Sequence, residues 1–285
     1  MARAALILLS AVFLMLGTAP GARAQEKVTV ENQRLTIQLD HRRFSLVAHV
    51  FRPAGRGPFP LVVVNHGTPS GNLERLRAAK LDSLDPPARW FAEHGFVVVV
   101  ALRPGFGQSD GPFMERTTPC ANRDYVHDGR VTADVEAAII ESAKALPDVD
   151  GHRVIVVGHS AGGFGAMALA DAPPPGVLAV INFAGGKGAN DGAICSGGAR
   201  LAQAGAVFGR GNRLPQLWLY APNDREFPPS VARPLYDAYR KDSRPAVEFV
   251  ELPPYGDDGH LAFVAPDPTV WAAPVLKFLA EIGAT

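Results

Sequence analysis

The chain opens on alternation and then loses it. Residues Leu35-Thr36-Ile37-Gln38-Leu39 alternate apolar and polar, the sign of a half-buried antiparallel strand. Val28 to Glu31 and Phe44 to Phe51 read as short strands beside it, so the three form an opening meander. After the Gly/Pro loop Pro53 to Pro60 the apolar runs are continuous: Leu61 to Val64, Phe96 to Val100, Val154 to Val157, Val177 to Phe183, Leu217 to Tyr220 and Val247 to Val250. A strand that is apolar on both faces belongs to a parallel sheet covered on each side by helices. Helical stretches fall between these runs. Pro87 to His94 and Ser230 to Lys241 are two, and Val270 to Ile282 closes the chain. Thr132 to Ala145 carries a compact stripe of Val135, Ala138, Ile139, Ser142 and Ala143. Alternating strands and helices predict a doubly wound α/β fold with a mostly parallel sheet of about eight strands. Asp110 to Asp128 and Gly185 to Asn212 show no clear period; Ala199 to Phe208 is the one helix expected there.

The N-terminus does not fit this pattern. Arg3 precedes an apolar stretch from Ala4 to Leu16, and Ala22-Arg23-Ala24 is a small-x-small cleavage site. Residues 1–24 therefore read as an export signal and residues 25–285 as one catalytic domain. The apolar stretch falls short of the ~20 residues of a membrane span. The expected location is periplasmic or secreted, with no stable membrane anchor. The 28 basic and 28 acidic residues balance, and no Lys/Arg cluster marks a nucleic-acid surface. Cys120 and Cys195 are the only cysteines, and in an exported chain the pair suggests one disulfide closing about 75 residues.

The chemistry is concentrated where an apolar strand meets Gly158-His159-Ser160-Ala161-Gly162 and a helix-compatible run to Ala170. A strand, a turn too tight for side chains beside it, and a helix together make a nucleophile elbow, which lifts one serine hydroxyl above a sheet. A serine hydroxyl is a weak nucleophile until a base takes its proton and an acid orients that base. In this fold the chain order is serine, acid, histidine. Asp224 follows the strand ending at Tyr220, and His260 follows the strand ending near Leu252, so Ser160, Asp224 and His260 form the candidate triad. Glu226, Asp257 and Asp258 are rivals for the acid. An oxyanion also needs two main-chain N–H donors. Ala161, just after the nucleophile, supplies one, and Thr68 in Asn65-His66-Gly67-Thr68 supplies the other. His66 is expected to hold this loop by hydrogen bonding. Arg103, Phe106 and His127 are candidates for substrate contact, and Trp218 is expected in the core. No G-x-G-x-x-G turn and no metal-ligand spacing is present, so no cofactor or metal is expected.

Arg52-Pro53-Ala54-Gly55, the run Gly57 to Gly67, and Arg103 to Gly111 resemble the corresponding segments of dienelactone-hydrolase-like and prolyl-oligopeptidase-like α/β hydrolases. The resemblance covers most of residues 25–285. It implies an α/β-hydrolase fold and a serine hydrolase. Dienelactone hydrolases carry a cysteine nucleophile where this elbow carries Ser160, which points to a carboxylesterase acting on a small-molecule ester. A peptidase or amidase, or a binding protein that keeps the fold without catalysis, are the alternatives.

Overall fold

The computed structural model describes residues 27–69, 73–115, 118–188 and 194–284. The expected signal segment, residues 1–24, lies outside them. An eight-stranded sheet runs β1 (Thr29–Leu39), β2 (Arg42–Arg52), β4 (Val97–Ala101), β3 (Phe59–Asn65), β5 (Val149–His159), β6 (Val177–Phe183), β7 (Gln216–Tyr220), β8 (Val247–Glu251) in spatial order. β1 and β2 pair antiparallel, β2 meets β4 antiparallel, and every other pairing is parallel. The sheet is open, and with helices on both faces it is the doubly wound, mostly parallel α/β arrangement of eight strands that the strand pattern predicts and the α/β-hydrolase architecture that the resemblance implies.

The continuous apolar runs are explained by two packed layers. In β3, Leu61 and Val63 enter one core with the helices α3 (Tyr125–Lys144), α4 (Ala161–Leu169), α5 (Ala199–Gly211) and α6 (Pro229–Asp242). Val62 and Val64 enter the opposite core with α2 (Asp85–Glu93) and α7 (Ala272–Glu281). β4 and β5 divide the same way, Val99 and Val156 to one side, Val100 and Val157 to the other. Each strand position is thus removed from water whichever way it points, at about 25 cal/mol per Å² of apolar surface. A short helix α1 (Leu73–Arg77), not anticipated from the sequence, precedes α2.

The opening strands differ from the expected meander. Val28 to Glu31 and Leu35 to Leu39 do not form two strands: Thr29–Leu39 is one strand, paired along its whole length with β2. β1 is an edge strand with one face largely in water, which accommodates Asn32 and Arg34, while Gln33 is half-buried on the face it shares with Leu35 and Ile37. Helix α3 begins at Tyr125, a full seven residues before the expected start, with Asp124 accepting the N–H of His127 as its cap.

Cys120 and Cys195 form a disulfide, with an S–S distance of 2.10 Å. It joins the stretch after β4 to the stretch after β6. No helix among the described residues is long and apolar enough to cross a membrane.

Candidate active site

The residues named from sequence come from the carboxyl ends of neighbouring strands, where open α/β sheets place their ligand crevice. β5 ends in Gly158 and His159, and the chain then turns at Ser160 with φ 56° and ψ −121°. That left-handed φ in a residue with a Cβ costs on the order of 1–3 kcal/mol, so the surroundings must impose it. They do so by close approach. A Cβ on Gly158 would stand 2.4 Å from the Gly162 carbonyl oxygen, and one on Gly162 would stand 2.4 Å from the Asn65 carbonyl oxygen. Only glycine at both positions lets α4 start this near β3 and β5. The Ser160 N–H donates to Phe183 O of β6 (3.0 Å), and the Ser160 carbonyl accepts from Phe164 and Gly186. The main chain of the turn is fully held. Among the described residues the hydroxyl makes no hydrogen bond, which leaves it free toward the cavity.

His260 sits in a 3-10 turn after β8. Its Nδ1 lies 3.1 Å from Asp224 Oδ2, and the other carboxylate oxygen accepts the N–H groups of Glu226 and Phe227, each at 2.8 Å. Asp224 is 2 % exposed, so these bonds fix the carboxylate and, through it, the imidazole. The rival acids lie elsewhere. Asp258 Oδ1 accepts the N–H groups of Arg225 and His260, holding the loop rather than the ring, while Asp257 is exposed and Glu226 lines the cavity.

A cavity of about 490 Å³ is lined by Ser160 and His260 together, with Thr68, Ala161, Glu115 and Lys187 among the other walls. The N–H groups of Thr68 and Ala161 donate to no acceptor among the described residues. Both are therefore available to a ligand oxygen beside Ser160. Among the described residues no group of three His, Cys, Asp or Glu side chains is placed to hold a metal ion.

Arg103, Phe106 and His127 are not brought to this cavity. Arg103 is fully buried, with Nη1 donating to the His66 carbonyl at 2.6 Å and Nε and Nη2 donating to Glu115. The side chain is enclosed, is tied to His66 and Glu115 and does not itself line the cavity, so the expected contact with an anionic substrate is corrected. Phe106 is wholly buried against the His66 ring and Phe113, and His127 is exposed on the first turn of α3. Trp218 is in the core.

Two histidines flank the nucleophile without pairing to it. His66 Nδ1 donates to Gly67 O at 2.6 Å while its Nε2 accepts the Arg103 N–H at 3.0 Å. Burial, with the Arg103 charge adding to it, lowers its pKa to about 3. His159 donates Nε2–H to the His260 carbonyl at 2.8 Å, and burial followed by the neighbouring His260 lowers it likewise to about 3. Both are neutral hydrogen-bonding rings near neutrality.

Sequence reasoning missed Glu115 and Lys187. Glu115 is 4 % exposed and accepts from Arg103, Lys187 Nζ (2.9 Å) and Thr68 Oγ1 (3.2 Å). Burial works to raise its pKa, but the Arg103 and Lys187 charges override that and hold it well below the usual carboxylate range. The available signal was a lone base among small residues, Gly185-Gly186-Lys187-Gly188; Glu115, followed by Arg116-Thr117-Thr118 in a polar segment, carried none.

A model of the X-Pro dipeptidyl-peptidase (S15) family matches residues 43–227. The chain belongs to that family. The matched span contains Ser160 and Asp224 of this S15-family chain and stops short of His260. No curated protein matches it in sequence. Among solved structures, a protein of Klebsiella pneumoniae described as a dienelactone hydrolase is 16 % identical, covering 90 % of this chain and 99 % of its own, with a TM-score of 0.56. Dipeptidyl peptidase 4 of Porphyromonas gingivalis is 15 % identical over 90 % of this chain, with a TM-score of 0.63, and the S15-family chain spans only 36 % of its length. An esterase of Pyrococcus furiosus is 14 % identical, covering 88 % and 90 %, with a TM-score of 0.59. At these identities the likeness establishes the fold. With the family, it makes the protein an α/β-hydrolase of the serine esterase and peptidase group.

Proposed function

We propose that the protein is an exported carboxylester hydrolase working through an acyl-enzyme, with residues 25–285 as its single catalytic domain after removal of residues 1–24. The observation that carries the reading is the His260–Asp224 hydrogen bond on the wall of the cavity that Ser160 also lines. In the first half-reaction Ser160 Oγ attacks the ester carbonyl and its proton passes to His260 Nε2. Asp224 holds the Nδ1–H tautomer and stabilises the imidazolium that results. The carbonyl oxygen, now negative, accepts from the N–H groups of Thr68 and Ala161. The C–O bond to the leaving alcohol breaks as His260 returns the proton to it. Water then repeats the sequence on the acyl-serine, releasing the acid and restoring the hydroxyl.

Amide cleavage is the second reading, favoured by the match to a peptidase family. The two differ only in the leaving group that His260 protonates. Purified protein assayed on p-nitrophenyl esters of increasing chain length beside aminoacyl p-nitroanilides separates them, with ester turnover expected to dominate. Ser160→Ala should lower kcat by about 10⁴-fold or more at unchanged fold. Ester hydrolysis near the wild-type rate in that variant would overturn the assignment. Failure of Ser160 to react with a fluorophosphonate would leave only a binding protein.

A further inference from the structure

Thr68 has an exacting task in this reading and little of its own to hold it. It lies beyond the end of β3, and its main chain takes part in no hydrogen bond among the described residues. Its one hydrogen bond there is the hydroxyl contact to Glu115 Oε2, at 3.2 Å. A donor that must meet a developing oxyanion is effective only when fixed before the reaction.

Glu115 is built to fix it. The carboxylate is almost wholly buried and bonds residues from three different strand ends at once. Thr68 follows β3, Arg103 follows β4, and Lys187 follows β6. Arg103 carries the bracing further, since its Nη1 and its main-chain N–H both grip His66, the residue two before Thr68. Two cations keep the carboxylate charged despite burial, so it remains an acceptor for the threonine hydroxyl. A carboxylate desolvated to this degree needs such partners, and Arg103 alone offers two donors to it. The fourth bond, from the neutral Thr68 hydroxyl, adds little to charge balance, and Thr68 shares the cavity wall with the nucleophile.

We propose that Glu115 is a positioning residue for the oxyanion hole, setting the Thr68 N–H through the threonine hydroxyl. This rests on the proposed serine hydrolase mechanism. Its effect belongs to the transition state, because the ester carbonyl gains its negative charge only there.

The test compares Thr68→Val and Glu115→Gln with wild type on one p-nitrophenyl ester. Thr68→Val keeps the side-chain shape, the main-chain N–H and the buried ion pairs, and removes only the hydroxyl. Each variant should lose about 10- to 100-fold in kcat with KM within about two-fold. The inhibition constant of an alkyl boronic acid, whose tetrahedral adduct places an oxygen in the same hole, should rise by a matching factor. Ser160 should still be labelled to completion by a fluorophosphonate. If Glu115→Gln fails to fold, Thr68→Val decides alone. A Thr68→Val kcat within two-fold of wild type overturns the proposal, as does a rise in KM with boronate inhibition unchanged. In either case an inactive Ser160→Ala keeps the wider mechanism intact, whereas an active one removes both.

Discussion

His66, His159 and Glu136 are buried titratable side chains that the proposed proton transfers do not use, and they set opposing trends of stability with pH. Each histidine has a folded pKa near 3 against an ordinary value of about 6.5. Between those values the unfolded chain binds the extra proton, so stability rises with pH across the window and is lost on acidification. Denaturant midpoints at pH 7 and pH 5 should show the difference, and His159→Gln should shrink it by up to about 2 kcal/mol. An unchanged difference would mean that the ring is hydrated in solution. Glu136 runs the other way. It is completely buried on α3, neither carboxyl oxygen has a hydrogen-bond partner among the described residues, and burial raises its pKa well above the usual value. The folded state keeps this proton while the unfolded chain releases it above about pH 4.5, so stability contributed at acid pH is lost as pH rises. Glu136→Gln should therefore stabilise the protein at pH 7, and by less at pH 4, in denaturant midpoints measured at the two pH values. Equal gains at both pH values would show that the carboxyl is not holding a proton.

At the scale of elements, the cavity wall is joined twice. Glu115 and Lys187 pair beside the cavity, and the disulfide between Cys120 and Cys195 joins the same two connections farther along. Neither cysteine lines the cavity. Replacing both with serine should lower stability by about 4 kcal/mol, the loop-closure value for a ring of this size, and leave kcat of the folded protein near wild type. A large fall in kcat at 25 °C would show that the ion pair cannot hold the wall alone. What the sequence made legible follows the same physics. β3, β4 and β5 could be read because helices cover both their faces and their central positions, Leu61 to Val64, Val97 to Val100 and Val154 to Val157, are all apolar. The elbow could be read because its glycines are demanded by backbone contact. Thr29–Leu39 reads as two strands because an edge strand tolerates Asn32 and Arg34 on its wet face and the half-buried Gln33 on the other, which interrupts the apolar alternation. The start of α3 was missed because Gly129 looks like a helix breaker. It is instead the place where a Cβ would stand 2.7 Å from the Phe208 ring, so glycine there admits α5. The pairing of Asp224 with His260 is legible from chain order together with Asp224's place just after the strand ending at Tyr220, since Glu226, Asp257 and Asp258 satisfy chain order equally. The cluster around Glu115 is not, because its other members lie 12 to 72 residues from Glu115 and each stands in a connection with no period.

For the whole molecule, the strand order β1-β2-β4-β3-β5-β6-β7-β8 puts the nucleophile turn at the centre of the sheet and the histidine turn next to its edge. Thr68, Ser160, Lys187, Asp224 and His260 each follow a different strand of five consecutive ones, β3, β5, β6, β7 and β8. None of these neighbours is local, so the site depends on the completed parallel stack rather than on any one hairpin or helix. On the proposed roles, the serine and its base are about a hundred residues apart. A ribosome adding amino acids in order would finish the turn at 160 long before residue 260 exists. The nascent chain would carry a hydroxyl no more aggressive than that of any surface serine. On those roles, its hydrolytic capacity would switch on only when the last strand docks.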